Sequence, residues 1–159
     1  MDEKKGVLRL NLRTRVEEPK GSGQWKEAVT PQDFPVAQTA ILLCDVWDKH
    51  WCQGANERLA KMLPRMNEVV QFARAKGVQI IHAPSDTMKF YADFPQRARA
   101  KLAPKATAPP DVAKWKSLNL AREAPLPIDD SDGGCNEDPQ CPGGGPWRRQ
   151  IATLEIFPG

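Results

Sequence analysis

Asp45, His50, Cys52, His82 and Asp86 are the residues of this chain whose types and spacing bear on chemistry. A carboxylate can accept or return a proton, and a histidine beside a cysteine can draw off the thiol proton to leave a nucleophilic thiolate. His50 and Cys52 stand two apart, a spacing that projects them differently in a loop. With no third group to orient them, Cys52 reads as a structural thiol. Asp45 is the better candidate because it ends the apolar run Thr39–Cys44. Such a run suits a parallel strand covered on both faces, and parallel α/β sheets bind ligands beyond the carboxyl ends of their strands. The plainer alternative is that Asp45 caps or solvates a turn. Strand alternation would turn Cys44 to the face opposite Asp45.

The elements that must position these residues follow from periodicity. After Gln53-Gly-Ala-Asn56 breaks the strand, Leu59, Met62, Leu63, Met66, Val69, Val70 and Phe72 or Ala73 recur at helical spacing. This pattern predicts a helix that buries Met66, Val69, Val70 and Ala73 against a sheet. Pro64 lacks the N–H that would bond the carbonyl of Ala60, which predicts a short leading turn and a main helix from Leu63 or Pro64. Lys76 and Gly77 supply a cationic last turn and a stop, and Val78–His82 is the next apolar strand. The unit is βαβ with a right-handed crossover, so its strands should be parallel. Asp45 and the segment His82–Thr87 would then emerge at one sheet edge, about one or two side-chain lengths apart given ~4.8 Å between strands. A pocket is expected there, with Trp47 or Trp51 in its wall and Asp48 and His50 beside it, although packing into the core suits the tryptophans as well.

The runs Leu42-Leu-Cys-Asp-Val-Trp-Asp48, Asn67-Glu-Val-Val70 with Ala75-Lys-Gly-Val78, and Ile80-Ile-His-Ala-Pro-Ser-Asp-Thr87 resemble the first half of the isochorismatase-like cysteine hydrolases, which include the nicotinamidases. The resemblance covers Thr39–Thr87 and is loose elsewhere. It implies a three-layer, doubly wound, Rossmann-like parallel sheet and a catalytic set of Asp, Lys and Cys. Asp45 matches the Asp, and no residue is assigned to the Lys or the Cys. It also implies hydrolysis of an amide or related bond in a small molecule. Nicotinamidases place an Asp-x-His metal site after the second strand. Asp86 matches its Asp, but Met88 stands where the His would be, and with two histidines in the whole chain the sequence assigns no metal ligand and no cofactor.

The remaining sequence is read from its residues. With 159 residues, a net charge of +3 and no apolar run of membrane-span length, a soluble single domain is expected, cytoplasmic in the absence of a visible secretory signal. Residues 1–38 form an N-terminal extension to a hydrolase-type portion, 39–159. Val7–Val16 alternates at period two, predicting a half-buried edge or hairpin strand whose Arg9, Arg13 and Arg15 face solvent. Glu17–Gln38 reads as a connecting segment pinned by Trp25. Met88–Arg122 is cation-rich and broken by prolines, predicting short helices; Phe90, Tyr91, Phe94 and Trp115 among these cations could line the approach of an anionic substrate, although a solvated surface is the commoner explanation, and prolines interrupt any continuous nucleic-acid-binding helix.

Ile128–Pro146 is a Gly-, Pro- and Asp-rich loop. Cys135 and Cys141 do not have a familiar zinc spacing; they could close a small disulfide loop in an oxidising compartment, and Asp130–Gly133 opens like a calcium loop without its later ligands. Trp147–Phe157 reads as a third strand whose neighbours are wanting. The chain is therefore expected to be the N-terminal part of a larger domain, stopping before the nucleophile. Two functions follow: a cysteine hydrolase in which Asp45 is the acid/base group, or a binding module that keeps a pocket without chemistry. The expected partner is a small-molecule substrate, with neither nucleic acid nor membrane; a homo-oligomer is compatible with the sequence.

Overall fold

A computed structural model describes residues 6–112, 119, 135 and 137–156. Its elements are β1 (Val7–Glu17), β2 (Trp25–Pro35), a 3-10 turn (Val36–Gln38), β3 (Ala40–Cys44), α1 (Gln53–Lys76), β4 (Gln79–Ala83) and α2 (Pro95–Leu102). β3 and β4 pair in parallel, with Ile41 opposite Ile80 and Leu43 opposite His82, as the apolar runs predict. Gly77 ends α1 in a left-handed conformation (φ 91°), its N–H bonded to the carbonyls of Ala73 and Arg74.

The three-layer doubly wound sheet does not form. Among the described residues there are two separate two-stranded sheets, β1–β2 and β3–β4, with two α-helices. The reason lies in the segment expected to be a third strand. Within Trp147–Ile156, Gln150 makes one antiparallel bridge to Trp47, flanked by bonds from Asp48 N–H to the Arg149 carbonyl and from Ile151 N–H to the Val46 carbonyl. The chain then turns, Leu154 N–H closing on the carbonyl of Ile151. That turn drops the Leu154 side chain into the core with Leu43, Val46, Leu63 and Val70. Burying Leu154 there, worth about 1.5–3 kcal/mol, competes with extending the strand. Among the described residues the sheet is covered on one face: Ile41, Leu43 and Ile80 pack against α1, whereas Leu42 (59% exposed) and Ile81 (44%) lie side by side on the other face.

α1 also departs from expectation. It runs unbroken for 24 residues through Pro64 instead of starting there. Pro64 and Ala60 both lie on the exposed side, so water can satisfy the carbonyl that loses its N–H partner. Leu63, Val70 and Ala73 are buried and Met66 partly so, but Val69 is 44% exposed and does not belong to the packed stripe.

The connecting segment expected over Glu17–Gln38 is largely strand β2, which pairs with β1 along eleven residues, from Val7–Pro35 to Glu17–Trp25. Pro31 and Pro35 obscure it in the sequence, but in a two-stranded ladder each strand has a free edge where proline is tolerated. Glu17 caps the connecting loop: its carboxylate accepts the Gly23 N–H at 2.7 Å. The N–H groups of Gly21 and Gly23 together hold that carboxyl below the usual range. The face expected to be half-buried is mostly open, with Leu10, Leu12 and Val16 exposed. Among the described residues the hairpin is anchored at its base, where Leu8 packs against the cluster of Val36, Ala73 and Val78. The arginines on the other face meet acids of β2, Arg9 with Asp33 at 3.1 Å and Arg13 with Glu27 at 3.6 Å.

Of the short helices expected in Met88–Arg122, α2 is present; the stretch around Trp115 lies outside the described residues, as does Asp130–Gly133. No helix among the described residues is long and apolar enough to cross a membrane.

Candidate functional site

Asp45 follows β3 with its backbone in the left-handed region (φ 53°), a conformation Asp tolerates better than most side chains. The Asp45 N–H still reaches the carbonyl of Ala83, at 3.2 Å, so the strand ends on this residue. The change of φ breaks the side-chain alternation. Cys44, expected on the opposite face, comes within 3.7 Å of the Asp45 carboxylate and donates its thiol hydrogen to Oδ2. The negative charge of Asp45, with some desolvation, pushes the Cys44 thiol up from its ordinary value, so near neutrality it stays protonated and is a poor nucleophile.

The second strand end meets the first at this carboxylate. Ser85 donates its N–H to Asp45 Oδ1 at 2.8 Å, and the Ser85 carbonyl accepts the Trp47 indole N–H at 3.1 Å. The convergence of Asp45 with the segment after β4 is therefore real at Ser85, with Trp47 as the third member. It does not extend to His82 or Asp86. Asp86 is an exposed turn residue at φ 59°. His82 faces Gln150, Nδ1 to Oε1 at 2.6 Å. Gln150 uses its NH2 on the carbonyl of Leu154, which leaves Oε1 as the acceptor and makes His82 Nδ1–H the donor. Gln150 is itself buried, and its backbone N–H goes to the Tyr91 hydroxyl. Burial is the main cause holding the His82 imidazole below its ordinary value; the Gln150 hydrogen bond opposes it and the charge of Arg74 adds to it. A neutral His82 is thus part of the core's polar pinning, and among the described residues it belongs to no cluster of three or more metal-ligating side chains.

Asp48 is likewise an anchor for its neighbours. Its Oδ1 accepts the N–H groups of Arg148 and Arg149, at 3.0 and 3.3 Å, which fixes the segment bearing Trp147. Trp147 then stacks on Trp47, ring centroids 3.9 Å apart and planes within 4°. His50 lies about parallel to both, 6.1 Å from Trp47 and 6.0 Å from Trp147, and Trp51 tilts against His50 at 5.0 Å. Trp147 is a member of this aromatic stack that sequence reasoning did not find, since no local pattern ties it to Trp47.

An open groove of about 460 Å³ lies along Phe90, Tyr91, Phe94, Arg149, Gln150 and Ile151. It is not lined by Asp45, Trp47 or Trp51, so it is not the pocket expected beside Asp45. The Arg149 guanidinium sits 5.6 Å from the centre of the Phe90 ring; the groove takes its aromatic side chains from the 88–122 stretch, but its cation comes from Arg149 and from none of the described lysines and arginines of that stretch.

His50 and Cys52 do not form a nucleophile–base pair by side chain. The contact is from the Cys52 backbone N–H to His50 Nδ1, at 3.1 Å. Asn56 locks the same turn: its amide oxygen accepts the His50 N–H, and its NH2 bonds the carbonyls of His50 and Cys52. The Cys52 side chain is fully buried at the start of α1. There its sulfur meets those of Cys135 and Cys141, the three lying within 4.8 Å of one another. Cys135 and Cys141 are free thiols here and close no disulfide loop, and their convergence with Cys52 was not anticipated from the sequence.

No protein-family model, no curated protein and no solved structure matches this chain.

Proposed function

We propose that Asp45 is the acid/base carboxylate of a hydrolase-type site for an amide or related bond of a small molecule, in keeping with the resemblance of Thr39–Thr87 to the isochorismatase-like cysteine hydrolases. The observation that carries this reading is the meeting of two parallel strand ends at one carboxylate. Asp45 leaves β3 in a left-handed conformation, and Ser85 from the end of β4 holds its Oδ1. Such a backbone conformation in a residue other than glycine, at the carboxyl end of a parallel strand, is a usual place for function. Oδ2, whose contact is a weak thiol hydrogen bond, is the oxygen free to exchange that partner for a substrate N–H.

The second reading, a small-molecule binding module without turnover, is favoured by Cys44. It is the thiol that lies against Asp45, and the carboxylate suppresses its ionisation. Assays of residues 1–159 on primary carboxamides such as nicotinamide separate the outcomes. The hydrolase reading requires that any turnover vanish in Asp45→Asn and persist in Cys52→Ser. Turnover lost in Cys52→Ser and kept in Asp45→Asn would overturn the Asp45-centred reading. Carboxamide binding without turnover, lost in Asp45→Asn, supports the Asp45-centred site and is what both readings expect of a chain in which no nucleophile is assigned.

A further inference from the structure

Cys52 and two cysteines far from it in sequence, Cys135 and Cys141, come together beside the first turn of α1. Cys52 has no exposed surface, Cys135 is buried, and Cys141 is half-buried, with all three sulfurs within 4.8 Å of one another. Three thiols on one tetrahedral zinc, each at about 2.3 Å, stand roughly 3.8 Å apart, so the sulfurs need close by only about 1 Å to bind one ion. A disulfide asks for a different arrangement, two sulfurs at about 2.05 Å, and would leave the third thiol over. Each of the three is a free thiol here.

The surroundings suit a metal. The backbone of Cys52 is held on both sides before any ion arrives, its N–H on His50 Nδ1 and its carbonyl on the Asn56 amide. Supporting contacts of this kind orient a ligand in advance. α1 begins without a side-chain cap, and the positive end of a 24-residue helix favours the net negative charge of three thiolates around a divalent ion. The half-buried Cys141 leaves one side open for the ion to arrive and for a fourth ligand. No described His, Asp or Glu joins the three sulfurs, so that ligand would come from solvent or from a small thiol.

We propose that Cys52, Cys135 and Cys141 form a three-thiolate site for zinc that ties the Gly- and Pro-rich loop carrying Cys135 and Cys141 to the start of α1. Binding replaces three S–H bonds by three Zn–S bonds and releases three protons to solvent; no oxidant or reductant is needed. The site is independent of Asp45 and stands or falls separately from the reading above.

The test uses the full chain, reduced with a phosphine under argon and freed of metal, then titrated with zinc against a chromophoric chelator and, in parallel, with cobalt. One ion per chain is expected, with cobalt giving sulfur-to-metal charge-transfer absorption and the ligand-field bands of a tetrahedral site. Cys52→Ser, Cys135→Ser and Cys141→Ser should each weaken binding by more than about 100-fold, beyond the loss expected for a supporting contact. Cys44→Ser should leave it unchanged. Cys52→Ser removes a fully buried thiol and can unfold the chain, so Cys141→Ser, checked for a native far-ultraviolet circular dichroism spectrum, carries the result. Two findings would overturn the proposal: a reduced, folded chain that takes up no zinc, or zinc binding retained in a folded Cys141→Ser at wild-type strength.

Discussion

The two small sheets are built on opposite principles. β1–β2 is a regular antiparallel ladder of eleven pairs, yet both its faces meet water except at the base, where Leu8 touches Val36. β3–β4 has five pairs, but α1 covers one face, and Leu43, Val46, Leu63, Val70 and Leu154 close a core beneath it. Backbone hydrogen bonds exchanged with water contribute about 1 kcal/mol or less net, whereas each buried Leu or Val contributes about 1.5–3 kcal/mol. Stability should therefore reside in β3–α1–β4 and the segment that Gln150 pins to it, with the hairpin as an arm held at its root. The candidate carboxylate stands on the stable part, where a fixed geometry can be kept.

The largest effect that would break this comparison is a charge in the core. Val70→Asp, at a side chain only 2% exposed, should cost about 3–5 kcal/mol in urea denaturation or leave the chain unfolded. Leu12→Asp on the exposed face of the hairpin should cost about 0.5 kcal/mol or less in the same experiment. Equal losses would mean that the hairpin is packed as tightly as the core.

Gln150→Leu comes next. It leaves the His82 N–H and the Leu154 carbonyl without their partners, a loss of about 2–3 kcal/mol measurable by the same denaturation. A neutral result would show that water replaces Gln150 and that the 147–156 segment is not pinned by it.

A smaller effect is expected from pH. The folded-state pKa of His82 lies below its unfolded value of about 6.5, so at mildly acidic pH the unfolded chain binds the extra proton. Stability contributed by neutral His82 is present above pH ~6.5 and declines as pH falls below it, until the folded-state imidazole protonates in turn. The Tm should drop between pH 7 and pH 5, and His82→Gln should flatten that drop relative to the parent. An unchanged slope would place His82 outside the core network.

The smallest effects concern exposed side chains. Val69→Asp on α1 and Arg13→Ala on β1 should each change stability by about 0.5 kcal/mol or less by thermal melting, Val69 because it faces solvent and Arg13 because its pairing with Glu27 is exposed and screened. A large loss at Val69 would mean that another surface covers that face of the helix.

What could be read from the sequence tracks how local its cause was. The Thr39–Cys44 run, the helix stop at Lys76-Gly77 and the parallel partner strand were all legible, because each is set by neighbouring residues. Val69 was misplaced because a stripe of apolar residues at helical spacing does not say how wide the packed face is. β2 was hidden by Pro31, Pro35 and alternating charges, which forbid a central strand but not one of a free hairpin. The doubly wound sheet failed on a competition within Trp147–Ile156: extension lost to a turn that buries Leu154 and Gln150, and only tertiary contacts decide that. At the site, the placement of Asp45 near the end of β4 followed from topology. Its exchange of Cys44 to the same side did not, since it depends on one backbone torsion. The stack of Trp147 on Trp47 and the gathering of Cys52 with Cys135 and Cys141 join residues remote in sequence, where no spacing rule applies.

The central claim is that Asp45, held by Ser85 beside Trp47, is a ligand-facing carboxylate. A ¹⁵N–¹H correlation titration of the chain with nicotinamide tests it at the atoms concerned. The Ser85 amide and the Trp47 indole N–H should shift first and saturate together, and both responses should disappear in Asp45→Asn while the amides of β3 and β4 keep their positions. Shifts confined to the Phe90–Arg149 groove, or a Ser85 response unchanged in Asp45→Asn, would contradict it.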